Sequence, residues 1–267
     1  MSTTPSTRSP AFFWRLTNAL KGTNNTLLTS KEVPDADLTG KWILITGGNN
    51  GIGFEAAKTF AKWGANIVLA CREPPESETH PSTAEEECRS IAKSAGHSST
   101  IEWWKVDLTD LRSIADISQR WLDTQRPLDI LCNNAGVSAT PPSGKTIYTK
   151  DGFEFSHQMW VKEMHHRLLR NEKLKHITIN ASKLAITPQQ GSLAIVNAVT
   201  SPALGPDPKI QGVGSPDGKG GGHYINRIWV AEAMPYCDDE NARQEVWEKI
   251  DEELSLEEKG LYSVFDI

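Results

Sequence analysis

Ile43-Leu44-Ile45-Thr46-Gly47-Gly48-Asn49-Asn50-Gly51-Ile52-Gly53, running on to Lys62 and then to Asn66-Ile67-Val68-Leu69-Ala70-Cys71-Arg72, is the stretch that decides how this chain folds. Ile43 to Ile45 is apolar without polar alternation, which predicts a strand buried on both faces of a parallel sheet. Gly47, Gly48, Gly51 and Gly53 follow at once and predict a tight turn. Glu55 to Lys62 then predicts an amphipathic helix whose apolar stripe is Phe54, Ala57, Phe60 and Ala61. Gly64 ends that helix, and Asn66 to Ala70 predicts the next strand.

A strand, a glycine turn and a helix in this order suit a dinucleotide. A side chain at Gly47 or Gly51 would keep a diphosphate away from the backbone, and Gly53 lets the helix approach the strand. The amides and the dipole at the helix start then favour an anion. Asn49 and Asn50, in the same turn, are compatible with either form of nicotinamide dinucleotide. A fold that binds NAD usually carries Asp or Glu at the end of the second strand to accept from the ribose hydroxyls. Cys71 and Arg72 stand there instead. Arg72 suits a 2′-phosphate, which favours NADP over NAD; the other reading is a solvated surface arginine.

Two short motifs carry a family resemblance. Thr46-Gly47-Gly48-Asn49-Asn50-Gly51-Ile52-Gly53 resembles the TGxxxGIG loop of the short-chain dehydrogenase/reductase family, and Asn133-Asn134-Ala135-Gly136 resembles its NNAG motif. The likeness is best over residues 38–136 and leans toward the retinol-dehydrogenase-like members. It implies a Rossmann-like, doubly wound parallel α/β sheet, with a nicotinamide cofactor contacted by Gly47, Asn50, Gly51, Ile52, Gly53, Arg72, Asp107, Leu108, Asn134, Ala135 and Gly136. Asp107 would lie near the adenine with Leu108 beside it; Asp107 or Thr109 would equally serve as the cap of a helix from Leu111 to Trp121.

The remaining chain divides into an N-terminal extension, residues 1–37, and a cofactor-binding domain, residues 38–267. Residues 1–10 are rich in Ser, Thr and Pro and predict disorder. Residues 11–20 are too short and too interrupted to span a bilayer; they form either a helix packed on the domain or a short amphipathic membrane contact. Further elements are expected as a helix from Ala84 to Ala95, a strand from Ile101 to Val106 and a strand from Leu128 to Cys132. Asn241 to Leu254 reads as a charged helix with Val246, Trp247 and Ile250 on one face.

Composition narrows the partners. With 267 residues, a net charge of −6 and no basic cluster, the chain reads as one cofactor domain for small molecules rather than a nucleic-acid surface. Cys71, Cys88, Cys132 and Cys237 lack CxxC spacing, which points to a reducing, cytoplasmic setting. His165 and His166 are adjacent, so on a helix they diverge, and no metal site is expected.

Beyond Gly136 the resemblance implies a catalytic serine at the end of a fifth strand and then Tyr-xxx-Lys, in which the lysine lowers the tyrosine pKa for proton exchange with the substrate oxygen. The residues four places after Tyr148, Tyr224, Tyr236 and Tyr262 are Gly152, Ile228, Glu240 and Asp266. Lys183, within Ser182-Lys183-Leu184-Ala185, has Ile179 four places before it. No Tyr-xxx-Lys exists. Met159 to Leu169 resembles the helix that follows the tyrosine and lysine, and His176 to Ala181 resembles the sixth strand, which implies a central strand-helix segment lost after Gln158. A rival alignment makes Ile177 to Ala181 the fifth strand and Ser182 the serine. Thr187 and Pro188 open a late helix, and Gly222 to Ile225 reads as a short last strand. The expectation is an NADP-dependent oxidoreductase for a small lipophilic alcohol or ketone, with its catalytic pair not identifiable. The alternatives are a non-catalytic NADP-binding module or the shortened product of an enzyme gene.

Overall fold

A computed structural model describes residues 33–76, 78–136, 146–155, 158, 175–178, 187–201, 225–226, 229–230, 241, 244–245, 248–249 and 252. The readings made for residues 11–20 and 159–169, for Ser182, for the loop of residues 202–222 and for Val246, Trp247 and Ile250 fall outside these.

Strand β1, Trp42–Thr46, lies at the centre of a parallel sheet with β2, Asn66–Cys71, on one side and β4, Ile130–Asn133, on the other. Outside β2 lies β3, Ile101–Lys105, and outside β4 lies β5, Lys175–Thr178, so the order is β3-β2-β1-β4-β5. Register is set by apolar pairs: Ile43 stands opposite Ile67 in β2 and opposite Ile130 in β4. Among the described residues the helices that accompany the sheet are α1, Gly51–Lys62; α2, Pro81–Ser94; α3, Leu111–Asp123; and α4, Pro188–Thr200.

The apolar run of β1 alternates between two cores, as a strand with a two-residue side-chain period must. Ile43 and Ile45 join Ile67, Leu69 and Cys71 on one face, beneath Ala57, Phe60 and Ala61 of α1, Cys88 of α2 and Ile195 of α4. Leu44 joins Val68, Trp104 and Leu131 on the other, against Ile114, Ile117 and Trp121 of α3. Helices therefore cover both faces, which is the doubly wound arrangement expected. Burying each such large side chain contributes roughly 1.5–3 kcal/mol.

Several boundaries differ from the sequence expectation, each for a local reason. Helix α1 begins at Gly51, not Glu55, because Asn50 caps it by accepting from the Gly51 amide. Helix α2 begins at Pro81, where a missing amide costs nothing, with His80 accepting from the Ser82 amide. The cap of α3 is Asp110, which accepts from the Arg112 amide, rather than Asp107 or Thr109. Asp107 instead accepts from both the amide and the hydroxyl of Thr109. In α4 the expectation holds for Thr187, which accepts from the Gln190 amide, and for Pro188, which opens the first turn; the structure adds the Gln190 side chain, which accepts from the Thr187 amide.

Two later strands take unexpected places. Residues resembling the family's sixth strand run parallel to β4 in the fifth position, with Ile130 opposite Lys175 and Asn133 opposite Thr178. That is the place the rival alignment gave to Ile177 to Ala181, as the fifth strand beside β4. Of the last strand expected over Gly222 to Ile225, only Ile225 is among the described residues; it belongs to β6, Ile225–Asn226, which pairs antiparallel with β7, Trp229–Val230, in a separate two-stranded sheet. Among the described residues no helix is long and apolar enough to cross a membrane.

Candidate functional site

Chain order reverses at β1: the path goes outward through β2 and β3, then returns to β4 on the far side. Such a switch point opens a crevice at the carboxyl ends of the two strands, where ligands of open α/β sheets sit. The turn after β1 and the Asn134-Ala135-Gly136 segment after β4 meet there.

Thr46 holds the two together. Its side chain is fully buried, and its hydroxyl accepts from the amides of Asn134 and Ala135 at 3.0 and 2.9 Å. Asn134 returns the contact, its Nδ2 donating to the carbonyls of Thr46 at 2.9 Å and Gly47 at 3.3 Å. The sequence reading passed over Thr46 as a site residue; its signal was a hydroxyl at the last position of an otherwise apolar strand.

The glycines divide the work. Gly51 has φ +54°, and a Cβ there would meet nothing within 4 Å, so the space in front of the helix start is open. A Cβ at Gly53 would stand 2.3 Å from Asn134 Nδ2 and 2.5 Å from the Gly47 carbonyl, so this glycine is needed for the helix to touch the turn and the β4 loop. Gly47 departs from expectation: a Cβ there would press on Ala135 Cα at 3.1 Å, so it serves contact between the two loops rather than an approaching phosphate. Gly51 donates to the Asn50 side chain and Phe54 to the Asn50 carbonyl. Helix geometry leaves Ile52 and Gly53 amides with no acceptor inside α1. An open helix start over a strand switch point fits a diphosphate.

At the end of β2, Cys71 and Arg72 part company. Burial pushes the Cys71 thiol up to about 12, against backbone N–H bonds from Gly48, Asn49 and Gly47 that pull it down. Cys71 therefore packs under the glycine turn and cannot face a ribose. Arg72 is more than half exposed, and its Nη2 donates to Glu78 at 2.7 Å. The sequence reading found no carboxylate at this spot; the loop after β2 brings one back. Asn49, buried, ties the turn to the same loop by donating from Nδ2 to the Thr79 carbonyl at 2.7 Å.

Around α3, Asp107 is exposed and Leu108 is buried in the second core. Gln158 is fully buried: its Nε2 donates to the Leu108 carbonyl at 3.2 Å and to Asp151, and its Oε1 accepts from the Thr149 hydroxyl. Asp151 also accepts from the Leu111 amide at 2.8 Å. Asp151 and Gln158 are thereby fastened to the segment that opens α3, an anchor that the sequence reading missed. Tyr148 lies there, exposed, in an isolated bridge with Glu154. Ile52 is half-buried against the first core, and Gly136 is exposed at the crevice. Among the described residues no group of His, Cys, Asp or Glu is placed to hold a metal ion.

Comparison with known proteins bears on this site. Residues 41–166 match the model of the family described as short chain dehydrogenase. Human WW domain-containing oxidoreductase is 37% identical over 123 residues, which cover 46% of this chain and 27% of that protein. Human retinol dehydrogenase 13 is 35% identical over 157 residues, 56% of this chain and 43% of that one. The chain thus spans less than half the length of these relatives. Among solved structures, the apo form of LigD from Sphingobium sp. strain SYK-6 aligns at a TM-score of 0.41 and 23% identity, over 60% of this chain and 70% of that chain.

Proposed function

We propose, from the premise that residues 41–166 belong to the short-chain dehydrogenase family on its retinol-dehydrogenase-like branch, that this chain binds NADP and acts as an oxidoreductase on a small lipophilic alcohol or ketone. The observation that carries the reading is the open space before Gly51 at the start of α1, beside the junction that Thr46 and Asn134 build between β1 and β4.

Each residue has a role that its chemistry supports. The amides of Ile52 and Gly53 and the dipole of α1 stabilise the diphosphate. Asn50 keeps the turn in place by capping that helix. Arg72 pairs with the 2′-phosphate, a guanidinium being the side chain best matched to that oxyanion. Asp107 and Leu108 border the adenine, and Asn134, Ala135 and Gly136 border the nicotinamide side of the crevice. The bound nucleotide supplies the hydride. Three cysteines, Cys71, Cys88 and Cys132, are free and buried, which supports a reducing, cytoplasmic setting.

Proton transfer is the weak link, because the chain has no Tyr-xxx-Lys and Ser182 is its only serine candidate, resting on the rival alignment. Turnover is accordingly expected to be slow. The same observation favours a second reading, in which the chain binds NADP without turning it over. Two measurements on the full chain separate them. Calorimetry should detect NADP binding, and its absence rules out both. A panel of retinoid, steroid and aliphatic ketones should then show oxidation of NADPH; saturable binding with no consumption of NADPH on any of them leaves the binding module.

A further inference from the structure

We propose that Glu78 sets the cofactor preference of this chain by competing with the 2′-phosphate of NADP for Arg72, so that the two side chains together act as the selector at the end of β2. The proposal rests on the reading that Arg72 is the 2′-phosphate partner.

Arg72 follows Cys71, whose thiol lies under the glycine turn, so the guanidinium leaves the sheet beside the crevice. There its Nη2 already donates to Glu78 Oε1 at 2.7 Å. Glu78 is carried by a built loop. Its amide donates to the Pro75 carbonyl at 3.0 Å, and the Thr79 carbonyl beside it accepts from Asn49 of the glycine turn. At the loop's far end, the His80 ring packs edge-on against Trp103, 5.0 Å between centroids, and Trp103 Nε1 donates to the Cys71 carbonyl at 3.2 Å. At its near end, Glu73 accepts from Lys105 Nζ at 2.9 Å, and that bond first holds its carboxyl below the usual range. Glu73 is therefore matched to a cation of its own, and Glu78 is the carboxylate directed at Arg72.

A carboxylate and a phosphate are oxyanions of similar demand on a guanidinium. The dianionic 2′-phosphate must take Arg72 from Glu78 and then sit beside an uncompensated negative charge. The 2′-hydroxyl of NAD meets the opposite case, since it is neutral and can donate to that carboxylate, as a ribose hydroxyl does in folds that bind NAD. Glu78 thus disfavours NADP and favours NAD, which leaves the chain less selective than an arginine at this position suggests.

Binding of NADP and of NAD to the full chain and to Glu78→Gln, measured by calorimetry at low salt, tests this. Removing a half-exposed ion pair and a like charge should raise NADP affinity about three- to tenfold, with NAD unchanged or weaker. Glu73→Gln, which alters net charge equally, should give little change, and the gain should vanish when Arg72→Gln is combined with Glu78→Gln. An unchanged NADP-to-NAD ratio in Glu78→Gln, weaker NADP binding, or an equal gain in Glu73→Gln would overturn the role of Glu78 while leaving the NADP reading intact. If the unaltered chain binds neither nucleotide, the NADP reading falls and the role of Glu78 with it. Glu78 is on the surface, and thermal unfolding of each variant checks that the loop substitutions leave the fold in place.

Discussion

Thr46 decides whether the two halves of the crevice hold together, because one hydroxyl serves two amides of the β4 loop. Thr46→Val keeps the shape and removes the acceptor, leaving the part-buried Ala135 amide without its hydroxyl partner. Stability should fall by about 1–3 kcal/mol, read as a lower urea midpoint at unchanged slope. The glycines offer a sharper contrast. At Gly53 an added methyl would meet backbone at the Gly47 carbonyl, so Gly53→Ala must push α1 off the turn, with loss of about 1–3 kcal/mol and of nucleotide binding. At Gly51 the methyl has room, and only the positive φ is penalised, at about 1–2 kcal/mol. Gly51→Ala should therefore keep its fold yet bind NADP more weakly, because the methyl occupies the space meant for the diphosphate. Full nucleotide binding in Gly53→Ala, or undiminished NADP binding in Gly51→Ala, would mean that the crevice is packed differently.

At the scale of elements, the sequence made most of the sheet readable. Ile43 to Ile45 and Ile67 to Ala70 carry apolar residues on successive positions, the pattern of strands buried on both faces. Helix starts were less readable, since Asp107, Thr109 and Asp110 are all competent caps and only the backbone geometry picks Asp110. Thr187 and Pro188 had no such competitors, so α4 was found with its cap. Thr187→Ala should lower stability by about 1 kcal/mol, measured by thermal unfolding, with nucleotide binding unaffected because α4 supplies none of the residues proposed to contact the nucleotide. The place of β5 was readable only through the rival alignment, which made Ile177 to Ala181 the fifth strand; Ile177 and Thr178 do stand opposite Cys132 and Asn133 of β4. Periodicity marks a short apolar run as a strand without naming its neighbour in the sheet, so the slot had to be read from the pairing with β4. The Gln158 anchor escaped for a related reason: a buried glutamine earns its place through partners at Leu108, Thr149 and Asp151, and only the first of these lies far away in sequence.

For the molecule as a whole, one of its two cores is chemically distinct. Cys71, Cys88 and Cys132 all belong to the core between the sheet and α1, α2 and α4, while the core under α3 is built around Trp104 and Trp121. Burial pushes all three thiols from an ordinary 9.0 up to about 12. The sign of the consequence follows from which state holds its protons longer. Between pH 9 and about 12 the unfolded chain loses these protons and the folded chain keeps them, so the folded state binds more protons and stability falls as pH rises. Below 9 the thiols are protonated in both states and contribute no slope. Each thiol should add about 1.4 kcal/mol of lost stability per pH unit across that window. Urea midpoints measured from pH 7 to 11 should be flat with respect to these groups at first and then decline. Other groups titrate at high pH, so the diagnostic comparison is Cys132→Ala, whose stability is lower throughout but whose alkaline slope should be shallower by one thiol's share. A slope identical to that of the unaltered chain would mean that Cys132 ionises in the folded state, and that the core beneath α1 is open to water.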